Sequence, residues 1–264
     1  MNTPLPYEQR DSAHLPGHWL LARLGKRILR PGGRELTERM LDDAGLAGAD
    51  VVELAPGLGK TATEILRRRP ASYRGVEADD AAALLTSAAI GTAGKVVRGD
   101  AAATGLDTES ADAVVGEAML TMQTDPHKSA IIAEALRILR PGGRYAIHEM
   151  ALAPDDLPDS VKTDIRKVLA RSIKVNARPL TREEWVALLV AGGFEIDTVG
   201  FAAMALLRPR RVLADEGFLG TARIVRNVLR DKSARTRVLD MRATFNRHRD
   251  HLTAIEIIAR KPQA

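Results

Sequence analysis

The order of apolar runs along this chain predicts an α/β fold of the doubly wound kind, a mostly parallel sheet with helices on both faces. Two observations carry that expectation. Short apolar runs at about 51–54, 73–77, 95–98, 112–116 and 144–149 alternate with stretches of helical periodicity, and strands that alternate with helices join in parallel through crossover connections. The run Val51 to Thr61, VVELAPGLGKT, passes from two apolar strand residues through an acidic residue into a glycine-broken turn that opens a helix. Such a turn, at the carboxyl end of a buried strand, leaves helix amide groups free for a polar ligand.

The elements follow in chain order. In an N-terminal helical cap, residues 1–48, the positions Trp19, Leu20, Leu21, Leu24, Ile28 and Leu29 predict a helix stopped at Pro31, Gly32 and Gly33. Leu36, Met40 and Ala44 predict a second, ending at Gly45. The core spans 49–206. After the glycine turn, Ala62, Ile65, Leu66 and Arg69 keep helical spacing up to Pro70. Asp125 and Pro126 are placed as N-cap and first-turn proline of a helix that presents Ile132, Leu136 and Leu139 on one face and ends at Arg140. Thr181 and Glu184 form a capping-box pattern ahead of Trp185, and Gly192 with Gly193 closes that helix before a strand near Phe194 to Val199. The phrase LRPGGR occurs at Leu29–Arg34 and at Leu139–Arg144 with unrelated flanks, so both copies are read as helix stops rather than as a duplication.

An arginine-rich insertion, residues 207–250, follows. Apolar positions such as Val212, Ile224, Val228, Val238 and Phe245 are interspersed with arginines from Arg208 to Arg249, which predicts amphipathic helices folding back over the sheet. Together with Ala151 to Pro179 they are expected to form the lid of an acceptor pocket. Residues 251–264 supply the last strand, Leu252 to Arg260, and a tail.

Composition narrows the function classes. The 264 residues contain no cysteine, which removes disulfides, thiol nucleophiles and cysteine metal sites and suits a cytoplasmic location. No run reaches the roughly 18 apolar residues of a membrane span, and the N-terminus lacks the basic start and apolar centre of a signal peptide. Net charge is +5, but aromatics are only 3% of residues and do not alternate with basic residues as a base-stacking surface requires. Nucleic acid is therefore not expected as a partner. Apolar faces on the cap and insertion leave a homodimer open.

Three ligand types compete for the glycine turn. A phosphate-binding P-loop needs a glycine five residues before Gly59, where Leu54 stands. The dinucleotide fingerprint fits Gly57, Gly59 and Ala62, with Glu77 as ribose acceptor. The third candidate takes in more of the chain. Glu53, Ala55, Gly57 and Gly59 resemble the first motif of class I S-adenosylmethionine-dependent methyltransferases, an acidic residue followed by GxGxG, with alanine in the first glycine position. GVEADD matches the second motif, with Glu77 and Ala78 at the ribose, and VVRGDAAATGL puts Asp100 and Ala101 where the family contacts adenine. ADAVVGEAML, containing Glu117, and AEALRILRPGGRYAIHE complete a pattern from about Asp50 to Met150.

The resemblance implies a seven-stranded sheet ending in an antiparallel pair, S-adenosylmethionine as cofactor and S-adenosylhomocysteine as product. It also implies transfer to a small, partly apolar acceptor. The sulfonium supplies an activated methyl group, so placement and water exclusion contribute most, and a base helps only where the acceptor carries a proton. Residues following the fourth and fifth strands are the candidates: His148 first, then Glu149 and Glu117. No metal site is expected. The alternatives are a nicotinamide-dependent oxidoreductase using the same glycines, or a regulatory protein that binds S-adenosylmethionine without catalysis.

Overall fold

The computed structural model describes residues 5–263. Helices α1 (Gly17–Arg23) and α2 (Gly33–Asp43) lead into β1 (Asp50–Leu54), α3 (Lys60–Arg67), β2 (Ser72–Glu77), α4 (Asp80–Ile90), β3 (Lys95–Arg98) and β4 (Ala111–Glu117). Then come α5 (Asp125–Ile138), β5 (Leu139–Leu152), α6 (Asp159–Ile173), a two-residue β6 (Leu180–Thr181), α7 (Arg182–Ala191) and β7 (Glu195–Ala203). The chain closes with α8 (Pro209–Arg230), α9 (Lys232–Arg247) and β8 (Leu252–Arg260).

The sheet runs β3-β2-β1-β4-β5-β8-β7, with β6 added beside the end of β5. Strands β1 to β5 pair in parallel, and β8 lies antiparallel between β5 and β7. The seven-strand path is the expected one. β6 is an addition, two residues long and too short to leave a periodicity. Connections from β1 go outward through β2 to β3 and then return to β4 on the opposite side of β1. That reversal opens a crevice at the carboxyl ends of β1 and β4, where ligands bind in open α/β sheets.

Strand alternation supplies two cores. Val51, Ala113 and Val115 pack with Met40, Leu41, Ala62 and Ile65 of α2 and α3, while Val52, Leu54 and Val114 pack with α5 and α7 on the other face. On α5 the buried Ile131, Ile132 and Ile138 contribute roughly 2 kcal/mol each. Gly192 lets α7 approach them: a Cβ there would sit 2.4 Å from Cγ2 of Ile132. A third cluster, including Leu20, Leu21, Met150, Leu169, Met241 and Phe245, joins α1, α6 and α9 over the end of β5.

Several boundaries differ from expectation. The first cap helix ends at Arg23, because Gly25, at φ 104°, donates to the Ala22 carbonyl while Lys26 donates to that of Leu21, a Schellman-type stop. Ile28 and Leu29 therefore lie in an irregular segment beyond it. The first LRPGGR opens a helix instead of stopping one, since Gly33 is the first residue of α2. The second follows α5, which ends at Ile138 rather than Arg140. Thr124, not Asp125, is the N-cap of α5, and Asp125 instead accepts from Lys128 Nζ at 3.1 Å. The Thr181–Glu184 capping box forms as expected. Both helices of the arginine-rich stretch form, α8 kinked at Gly217. Among the described residues, no helix is long and apolar enough to cross a membrane.

Candidate active site

A cavity of about 580 Å³ lies at the carboxyl ends of β1, β2, β4 and β5. One end is walled by the turn after β1 and by Glu77, Ala78 and Asp79; the other by Trp19, Met204, Met241 and Phe245. It thus extends from the glycine turn to the helices packed over β5.

The turn itself divides into residues that face the cavity and one that does not. Ala55, in the first glycine position, has φ 54° and donates to the Val76 carbonyl at 2.8 Å; a left-handed alanine bears about 1 kcal/mol of strain that glycine would not. Gly57, at φ 59°, donates its N–H to Glu77 Oε2 at 3.0 Å, and a Cβ there would meet only the Ala55 carbonyl at 3.9 Å. The space beside Gly57 is open. Gly59, at φ 69°, is the N-cap of α3 and is packed instead: a Cβ would lie 2.9 Å from that of Ala89 and 3.0 Å from Cα of Thr86. Its requirement comes from the close approach of α3 to α4.

Three buried carboxylates converge on this end. Glu53 accepts from the Tyr73 hydroxyl at 2.6 Å, and burial pushes its carboxyl up to about 8, the Tyr73 bond and Arg30 offsetting only part of that while Glu117 and Glu77 add to it. Glu77 accepts from the N–H groups of Gly57 and Asp79, the latter at 3.1 Å. Glu117 is opposed by Arg30, whose Nε lies 2.8 Å away, and is hydrogen-bonded by Thr37, Thr61 and His148. Burial alone would raise its carboxyl; Arg30, His148 and Thr37 outweigh that and hold it at about 2.

Two of the expected bases need correction. His148 is fully buried and absent from the cavity wall. Its Nε2 accepts the Gly32 N–H at 3.1 Å and its Nδ1 donates to Glu117 at 2.8 Å. Neither nitrogen is free to take a proton from a substrate, so His148 orients Glu117. Glu149 reaches the wall but accepts four hydrogen bonds, from the N–H groups of Met119, Leu120 and Thr121 and from the Thr121 hydroxyl. It pins the 3-10 turn Leu120–Met122 that follows β4. Asp100 and Ala101 are likewise not brought to the wall: Asp100 accepts the Ala102 N–H at 2.8 Å, closing its own turn, and lies 3.5 Å from His127. Ala78, Asp79, Ala118 and Met119 line the cavity there instead.

Sequence reasoning passed over two residues that the fold delivers. Arg30, in the irregular segment after α1, reaches Glu117. His18, on α1, lines the cavity with its ring 5.0 Å from that of Trp19. Burial pushes its imidazole down to about 4, so it is neutral near pH 7, and among the described residues its ring nitrogens have no hydrogen-bond partner. Helical periodicity marks α1 as apolar on one side but does not tell which end of that side faces a ligand.

The strand order defines a Rossmann-like α/β fold, with the cavity at its topological switch point. A methyltransferase domain family matches residues 52–147. An uncharacterized protein of Haemophilus influenzae is 34% identical over 248 residues, covering 90% of this chain and 96% of that one. A phthiotriol/phenolphthiotriol dimycocerosates methyltransferase of Mycobacterium leprae is 32% identical over 117 residues, 44% of this chain and 43% of its own. Among solved structures, phosphoethanolamine N-methyltransferase 2 of Haemonchus contortus, in complex with phosphomonomethylethanolamine and S-adenosylhomocysteine, superposes with a TM-score of 0.72 at 16% identity, over 97% of this chain and 59% of that one. Residues 52–147 are thus a methyltransferase domain, carried on a fold shared with solved methyltransferases, one of them in complex with S-adenosylhomocysteine.

Proposed function

We propose that the protein transfers the methyl group of S-adenosylmethionine, in line, to a small and largely apolar acceptor held under the lid. The observation that carries this reading is the continuity of one cavity from Glu53, Gly57 and Glu77 to a wall of Trp19, Met122, Met204, Met241 and Phe245. The residues present suit the cofactor: carboxylates at two depths, and an open place beside Gly57 that a side chain would fill. The cofactor supplies the activated methyl on its sulfonium. Glu77 would accept from the ribose hydroxyls, exchanging the Gly57 N–H for them, and Glu53 would accept from the methionyl ammonium, giving up its proton as it does so. Glu117, with Arg30, Thr37, Thr61 and His148, ties the cap to the core and keeps the floor of the cavity rigid.

At the acceptor end, His18 is the group we assign to take a proton from an acceptor hydroxyl or amine, since its ring faces the cavity and is free. The apolar wall excludes water and orients the acceptor. The Mycobacterium leprae relative is, by its name, a methyltransferase of phthiotriol and phenolphthiotriol dimycocerosates; the apolar acceptor proposed here rests on the cavity wall. On this reading residues 1–48 act as cap, 49–206 as the methyltransferase core, 207–250 as lid and 251–264 as the closing strand and tail.

Calorimetric titration with S-adenosylmethionine, S-adenosylhomocysteine and NADH, on the wild-type protein and on Gly57→Asp, tests the reading. Binding of both adenosyl ligands near the micromolar range, about −8 kcal/mol, with loss in the variant and no NADH binding, is the expected result. NADH binding alone would overturn it. Once an acceptor is found by screening for S-adenosylhomocysteine release, His18→Gln should lower kcat by about 100-fold and leave cofactor affinity unchanged.

A further inference from the structure

Helix α8 has no buried residue, and its outward side carries two parallel rows. Phe218, Ala222, Val225 and Leu229 are spaced to fall in one line along the helix, and Leu219, Arg223, Arg226 and Arg230 in the next. Phe218 is 78% exposed, Leu219 79% and Leu229 63%. Isolated apolar residues on a surface need no explanation, but a continuous apolar row edged by arginines does.

The two carboxylates of α8 do not relieve that charge. Asp215 and Glu216 turn inward onto Lys26, whose Nζ lies 3.6 Å from each and whose side chain is 1% exposed. Glu216 also accepts the N–H groups of Arg27 and Ile28, at 2.7 and 2.8 Å. The outer face of α8 is left apolar and uniformly cationic. Gly217, at φ 69° and ψ 177°, bends the helix just before Phe218 and Leu219, with open space beside it.

We propose that this face docks on an anionic lipid bilayer, Phe218 and Leu219 entering the boundary of headgroups and acyl chains while Arg226 and Arg230 meet phosphates. An amphipathic helix with a basic edge and aromatic or leucine residues on its apolar row has the features that bind such a surface. A second copy of this chain fits less well, because a two-fold contact over α8 would set arginine rows of like charge side by side. The same helix holds, through Glu216, the segment whose Arg27, Leu29 and Arg30 line the cavity. Docking would therefore set the lid of an apolar cavity against lipid. The proposal stands on the α8 surface and does not require the acceptor assignment.

Co-sedimentation with phosphatidylcholine vesicles, with and without roughly 30% phosphatidylglycerol, tests it. Binding should need the anionic lipid and weaken at high salt. Arg226→Gln and Arg230→Gln should each reduce the partition coefficient about fivefold, and Phe218→Ser with Leu219→Ser should reduce it tenfold or more. Circular dichroism and melting temperature should be unchanged in these variants, because the replaced side chains are exposed. Absence of binding to either vesicle, or binding that these variants leave intact, overturns the proposal. A dimer seen by sedimentation velocity and dissolved by Phe218→Ser, without vesicle binding, overturns it in favour of self-association.

Discussion

Replacing Glu53 by glutamine separates what the cofactor site requires from what the fold prefers. The Glu53 carboxyl rises from 4.5 to about 8 in the folded chain, through burial above all, with the charges of Glu117 and Glu77 adding to it against the pull of the Tyr73 hydrogen bond and of Arg30. A raised value means that the folded protein holds a proton which the unfolded chain has released above pH 4.5, so stability is full below that pH and falls as pH rises toward 8. At about pH 7.5 the loss is on the order of 4 kcal/mol, and between about pH 5.5 and 7.5 it grows by roughly 2.5 kcal/mol. Glutamine at this position keeps an oxygen for the Tyr73 hydroxyl and has nothing to titrate. Without cofactor, E53Q should melt roughly 10 °C above the wild type near pH 7.5, and the gap should shrink as the pH is lowered. The same variant should bind S-adenosylmethionine at least tenfold more weakly. Melting curves of both proteins across this pH range, without ligand, check the argument. Parallel pH dependences, with no gain at pH 7.5, would refute it.

Gly59→Ala should destabilise the protein by about 2–3 kcal/mol in urea unfolding, combining a left-handed backbone with overlap on Ala89 and Thr86. Gly57→Ala, with free space around its Cβ, should cost only about 1 kcal/mol while cutting cofactor affinity, so the two glycines should separate stability from binding. At acid pH the sign for Glu117 is opposite to that for Glu53: its carboxyl is depressed from 4.5 to about 2. It contributes stability that is present above pH 4.5 and is lost as pH falls toward 2, about 3 kcal/mol in all. E117Q should flatten that acid limb in pH-jump unfolding, and an unchanged limb would show that Arg30 and His148 do not hold the charge.

The parallel sheet and the glycine turn were legible in the chain because both depend on short-range order. Val51 to Leu54 followed by Ala55, Gly57 and Gly59 dictates a strand, left-handed turn residues and a helix start within ten positions, whatever else surrounds them. Glu53 and Glu77 were legible for the same reason, since the ends of β1 and β2 are set by local pattern. His148, one residue from Glu149 on the same strand, could not be assigned, because alternation sends the two side chains to opposite faces and only packing tells which face is wet. His148 ended between Gly32 and Glu117, Glu149 under the turn after β4. His18 and Arg30 belong to the cap, far along the chain from the strand ends around the cavity, Arg30 standing 87 residues before the Glu117 it meets, and no local preference encodes that distance. Gly25 ended α1 early and sent Arg30 into the cavity. Burial then set the chemistry, keeping His18 neutral, Glu53 protonated and Glu117 charged, because the free energy of a charge depends on the solvent that the whole fold removes and on the partners that it brings near.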